Sequence, residues 1–200
     1  MRKKGGKKRS FFKENYRESW KYIKDSRNFI YSVIAVFLFF ALVGFILPIP
    51  AELETKILEF IEELLRQTEG MSQSELIKFI LLNNLQSSFM GMLFGILFGL
   101  FSVISALTNG YILGFVASRT VDGNGLLILW RLLPHGIFEL PALFISLGLG
   151  LKLGTFIFGK NKIQTLGIYL TKSMKVFFFI IIPLLIIAAI IEGSLISMLE

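Results

Sequence analysis

The sequence predicts an all-α fold, a polytopic transmembrane helical bundle with about 4–5 membrane helical segments. Three observations carry that expectation. The 200 residues are 54% hydrophobic, with 21 Phe and a mean hydropathy of +0.70, outside the range of soluble domains. Several apolar runs approach the ~20 residues a helix needs to cross a hydrocarbon core about 30 Å thick. The short alternating strands of a membrane barrel are absent from the pattern. With 0 Cys the chain offers no disulfide, thiol nucleophile or thiolate ligand, and with 1 His an ordinary zinc site is not expected. Neither a metal nor a cofactor is expected.

The net charge of +7 belongs to one end of the chain. Residues 1–28 hold 11 Lys/Arg against Glu14, Glu18 and Asp25, a balance of +8, which leaves −1 for the remainder. Residues 1–28 therefore read as a basic cytoplasmic tail and amphipathic interfacial helix, and residues 29–200 as a single transmembrane domain. Met1–Arg9, nearly all basic or glycine, is expected to be disordered. From Ser10 onward Phe12, Tyr16, Trp20 and Ile23 form a helical stripe flanked by Lys13, Arg17, Lys21 and Lys24. Arg17, Trp20, Lys21 and Lys24 are its candidate membrane-surface residues, suited to an anionic lipid face. Basic tails also bind nucleic acid, but one that abuts a span points to lipid, so no nucleic-acid partner is expected.

Phe29–Leu47 is the first span, ended by Pro48 and Pro50. Its positive flank places the N-terminus in the cytoplasm of a multi-pass protein of the cell membrane. The run is too long, and lacks the following small-residue site, for a signal peptide. Residues 51–69 are amphipathic with the opposite charge: Leu53, Ile57, Phe60, Ile61 and Leu64 beside Glu52, Glu54, Glu59, Glu62 and Glu63. Anionic lipid repels such a helix, so it belongs outside, capping the bundle or docking a partner. Ser72 with Glu75 makes a capping box that starts the next helix. Small residues then recur every four positions at Ser87, Gly91, Gly95 and Gly99, and again at Ser102, Ala106, Gly110, Gly114 and Ser118. Such ridges let membrane helices approach closely, within one chain or between two copies, so a homo-oligomer stays open. Residues 85–118 as one helix would measure about 51 Å, so the helix protrudes or breaks near Asn109-Gly110. Arg119–Gly125 reads as a polar turn.

Residues 126–151 are apolar but carry Arg131, Pro134, His135, Gly136, Glu139 and Pro141. Lys152, Lys160, Lys162, Lys172 and Lys175 follow without an acidic residue among them, and the last span is about Val176–Ile191. Four simple spans would put those lysines outside, against the positive-inside rule. One resolution is a broken helix at the Pro-His-Gly-Ile-Phe-Glu-Leu-Pro segment, turning 126–151 into a hairpin. A single crossing is the alternative.

His135 and Glu139, at i and i+4, share a face if helical. Ionisable groups in a span are costly, so they are candidates for a proton relay or for satisfying a helix break. Arg119 and Arg131 are candidate partners for Glu139 or Asp122 at the cytoplasmic end, or they snorkel. Glu192 is a further candidate partner or an interfacial carboxylate, and Asn109 breaks or caps its helix. No phosphate loop, metalloprotease motif or nucleophile–base grouping is present, so no catalytic residue is assigned and an enzyme is not expected.

Pro134-His135-Gly136-Ile137-Phe138-Glu139-Leu140-Pro141-Ala142, with Asn109-Gly110-x3-Gly114 before it and Gly148-x-Gly150-Leu151-x-Leu153-Gly154 and Ala188-Ala189-x-Ile191-Glu192-Gly193 after it, resembles the stage II sporulation protein M family. The resemblance covers about residues 25–198. It implies a multi-spanning membrane protein, with His135, Glu139, Pro134, Pro141, Asn109 and Glu192 as the matching residues. The family's namesake anchors a cell-wall-degrading complex during engulfment, and relatives occur in organisms that make no spores. Two functional readings remain from the sequence. One is a non-enzymatic membrane scaffold that recruits another membrane or envelope protein through the acidic helix or the basic tail. The other is a transporter or permease-like subunit with a mid-membrane site around His135 and Glu139.

Overall fold

The computed structural model describes residues 4–47, 51–124 and 133–199. Eight α-helices are formed among them: α1 (Lys4–Asp25), α2 (Arg27–Ile46), α3 (Ala51–Thr68), α4 (Gln73–Leu93), α5 (Leu100–Asn124), α6 (Leu133–Gly154), α7 (Lys162–Val176) and α8 (Ile182–Leu199). Residues 4–9, expected to be disordered, belong to α1. The expected polar turn at 119–125 is helical as far as Asn124. A π-helical segment, Phe177–Ile181, joins α7 to α8 directly before Pro183. The wider turn takes up the bond that proline cannot donate.

Five helical stretches are long and apolar enough to cross a membrane: Arg27–Ile46, Gln73–Ile96, Leu100–Thr120, Gly136–Phe158 and Lys162–Met198. The reversal that the lysine pattern demands lies elsewhere than the Pro134–Pro141 segment. Residues 133–154 form one helix, with Pro141 inside it and Pro134 in its first turn, where a missing N–H leaves no intrahelical bond unmade. The chain turns back instead at Leu97–Gly99, between the 3-10 turn Phe94–Ile96 and α5. Phe98 (φ 57°) and Gly99 (φ 73°) hold left-handed backbone there. Asn109-Gly110, the expected break, lies within α5. One long small-residue run is thus two antiparallel helices.

The turn at 97–99 lies beside Gly154, because a Cβ on Gly154 would meet Phe98 and Gly99 backbone. At the same end of the bundle, Lys152 Nζ donates to Ser26 Oγ at 2.9 Å, between α1 and α2. Glu18 of α1 also pairs with Lys175 there at 2.7 Å. The basic N-terminal helix and the late lysines therefore share one end. At the opposite end α3 leads into the Ser72 capping box, and Gln73 bonds Ser194 near the C-terminus at 3.0 Å.

α6 is the central helix, packed by α2, α4, α5 and α8. Leu143, Leu147, Leu149 and Leu153 fill the core around it. Its Ala142, Ser146, Gly150 and Gly154 form a third small-residue ridge at four-residue spacing. A Cβ on Gly95 would strike the Gly150 backbone, and one on Gly91 would strike Leu147. Gly99 packs on Leu151. On the other side α5 lies against α2, where Gly110 meets Phe37 backbone and Gly114 meets Ala41 backbone. Both ridges read from the sequence are spent on contacts inside one chain.

Candidate functional site

Buried polar side chains mark where this apolar body departs from simple packing. Gly193 brings α8 onto α4, since a Cβ there would press on Ile77 backbone. That contact turns the preceding Glu192 towards α6, where Glu139 lies close enough for the two carboxylates to repel. Asn84, from α4, lies beside Glu139. Three half-buried polar groups from three helices thus meet inside the bundle, near the end that carries α3. Glu192 Oε2 is buried without a hydrogen-bond partner. A buried oxygen left unpaired costs about 1–3 kcal/mol, so the arrangement calls for a proton, a solute or a partner group.

The remaining candidates fall at different places. Arg131 lies outside the described residues, as does the side chain of His135, although its backbone is in the first turn of α6. Arg119 does not reach Glu139; it is ion-paired to Glu54 of α3 and stacks 5.5 Å from the Phe115 ring, at the end away from the basic helix. Asn109 is exposed and donates to the Ser105 carbonyl one turn back at 2.8 Å, which neither breaks nor caps α5. Gly136 sits in α6 with only Leu140 beside the place of a Cβ. Asn84, which the sequence showed only as a polar interruption of an apolar run, is the partner it did not announce.

On α1, Trp20 and Tyr16 are exposed, with Phe11 and Phe12 a turn or two earlier. The buried side of α1 carries Asn15, Ser19, Tyr22 and Ile23 instead. The expected stripe is therefore divided: Ile23 is buried, and the three aromatics face outward. Arg17, Lys21 and Lys24 lie on the exposed side with them.

The motif pieces Pro134–Ala142 and Ala188–Gly193 lie on neighbouring packed helices, α6 and α8. The model of the family described as stage II sporulation protein M matches residues 33–195. The chain belongs to the stage II sporulation protein M family. The match runs from within α2 into α8, reaches all five candidate spans and leaves α1 outside it. None of the curated proteins and none of the solved structures matches the chain. As a member of this family with five apolar helices, it is a multi-spanning membrane protein.

Proposed function

We propose that this chain is a non-enzymatic assembly component of a complex in the cell membrane, with its N-terminus in the cytoplasm and α3 docking a partner outside. One observation carries the reading: α3 stands apart from the bundle with large apolar side chains uncovered. Leu53, Leu58 and Phe60 are exposed, Ile57 is the one apolar side chain buried among the described residues of the helix, and the Arg119–Glu54 ion pair tethers it to α5. Such a face next to five glutamates suits a protein surface that is basic and apolar together. The positive-inside rule supports the orientation, because the lysines of α7 share the end of the basic helix.

Photocrosslinking from Phe60 in intact membranes tests this. The expected result is one discrete protein adduct, lost when Glu59 and Glu62 are reversed to Lys while the melting temperature stays unchanged. No adduct, or an adduct that survives charge reversal, overturns it.

The second reading, a transporter-like subunit, is favoured by the Asn84–Glu139–Glu192 grouping. Its test is proton or solute flux into vesicles holding the purified chain. Flux abolished by Glu192→Gln establishes that reading; its absence removes it.

A further inference from the structure

We infer that the pocket between α1 and α7 binds a phosphate-bearing anion, and that in the membrane this anion is the headgroup of an acidic phospholipid. The cavity, of about 320 Å³, is lined by Lys21, Lys172 and Lys175 together with Ser19, Tyr22, Glu18 and Asp25. Glu18 is already engaged by Lys175 at 2.7 Å, and Asp25 faces Lys152. Lys21 and Lys172 have no carboxylate partner among the described residues. The Lys172 ammonium stands 5.6 Å from the Tyr22 ring, and the Lys152 ammonium stands 4.1 Å from the same ring. The cavity therefore gathers cations beyond what its own carboxylates neutralise.

Its hydroxyls point the same way. Ser19 Oγ and Tyr22 Oη, both in the lining, are buried without a hydrogen-bond partner. The residues themselves are 1% and 4% exposed. Buried hydroxyls are normally satisfied, and two orphans in one pocket lining mark a site that an acceptor-rich group completes. A phosphate supplies such acceptors, and lysines hold it as point charges.

Lipid rather than free phosphate is the source, because a second, apolar groove lies further along α1. Phe12, Tyr16, Phe178, Phe179 and Pro183 line it, with the Phe12 and Phe179 rings 6.0 Å apart edge to face. Headgroup pocket and acyl groove thus share α1, the pocket facing α7 and the groove facing the π-helical turn and the start of α8 that follow it. Basic pockets between membrane helices take acidic headgroups in this way.

The test uses the full chain purified in neutral detergent and titrated with short-chain phosphatidylglycerol, short-chain phosphatidylcholine and inorganic phosphate, with Trp20 fluorescence in a Trp130→Phe background as the readout. The expected result is saturable binding of phosphatidylglycerol, at least tenfold tighter than either of the other two. Lys21→Gln with Lys172→Gln weakens it at least tenfold, whereas Lys162→Gln outside the pocket leaves it unchanged. Lys172→Arg, which keeps the charge, retains binding and guards against a folding artefact in the double variant. Inorganic phosphate binding as tightly as phosphatidylglycerol overturns the lipid assignment. Equal effects of the pocket variants and Lys162→Gln overturn the site.

Discussion

Replacing Gly114 by Ala tests the helix contact on which the fold depends most. A Cβ at Gly114 would lie 2.8 Å from the Ala41 carbonyl carbon and 3.0 Å from its Cα, and nearer still to the oxygen. Backbone cannot swing aside as a flexible side chain can, so α2 and α5 must separate. Overpacking of this kind costs about 1–3 kcal/mol. Against it stands the helix propensity of Ala over Gly, worth about 1 kcal/mol. Gly167 in α7 is the matched control, because nothing lies within 4 Å of its Cβ position. Gly167→Ala collects the propensity gain alone. The propensity term is common to both, so the difference between the variants isolates the clash, about 2 kcal/mol at mid-range. For a chain of this size that separates their melting temperatures by about 4–8 °C. Thermal unfolding in mild detergent reads it, and the separation is independent of protein concentration if the ridge packs within one chain. Coincident melting temperatures refute the packing account, and a difference that grows on dilution assigns the ridge to a dimer.

Three further outcomes follow from the two ends of the bundle. Lys152→Ala leaves Ser26 Oγ without the Lys152 donor and removes a cation from the Tyr22 ring, for a loss of about 1–3 kcal/mol in chemical denaturation. Arg119→Ala removes an exposed pair worth at most about 1 kcal/mol. Global stability then barely moves, but amide exchange across residues 51–68 accelerates while α2 and α5 keep their protection. The Lys175 ammonium beside Glu18 holds its carboxyl below the usual 4.5. A depressed folded value means that the pair's support of the α1–α7 contact is complete above 4.5 and is lost as pH falls through the lowered value. Spin labels on α1 and α7 should move apart only in that acid window, and Glu18→Gln should abolish the dependence. Tyr22 contributes no dependence near neutrality, because burial pushes its phenol up to about 12.

Apolar runs and charge made the class, the first span, the acidic helix and the Ser72–Glu75 cap of the helix after it legible. The five lysines also made the need for an extra reversal legible, but not its place. Pro134, Gly136 and Pro141 drew the expected break because proline removes helix donors. Yet a helix tolerates one proline in its first turn and loses a single bond at another. Gly99 looked like one more member of a packing ridge, and only its left-handed backbone distinguishes it as the turn. The site was legible in half: Glu139 and Glu192 stand out as carboxylates in apolar runs. Asn84 and the contact of α8 with α4 depend on helix order in space, which local spacing does not encode. Arg119 illustrates the same limit, since its partner Glu54 is 65 positions away.

The central claim is five crossings with a reversal at Leu97–Gly99, and the absence of cysteine makes it directly measurable. Single cysteines at Glu69, Phe98, Asn161 and Ser197 can be probed with a membrane-impermeant reagent from each side. The account predicts that Phe98 and Asn161 label from the cytoplasmic side, and Glu69 and Ser197 from the other. Labelling of Asn161 from the same side as Glu69, or of Phe98 from neither, would contradict it.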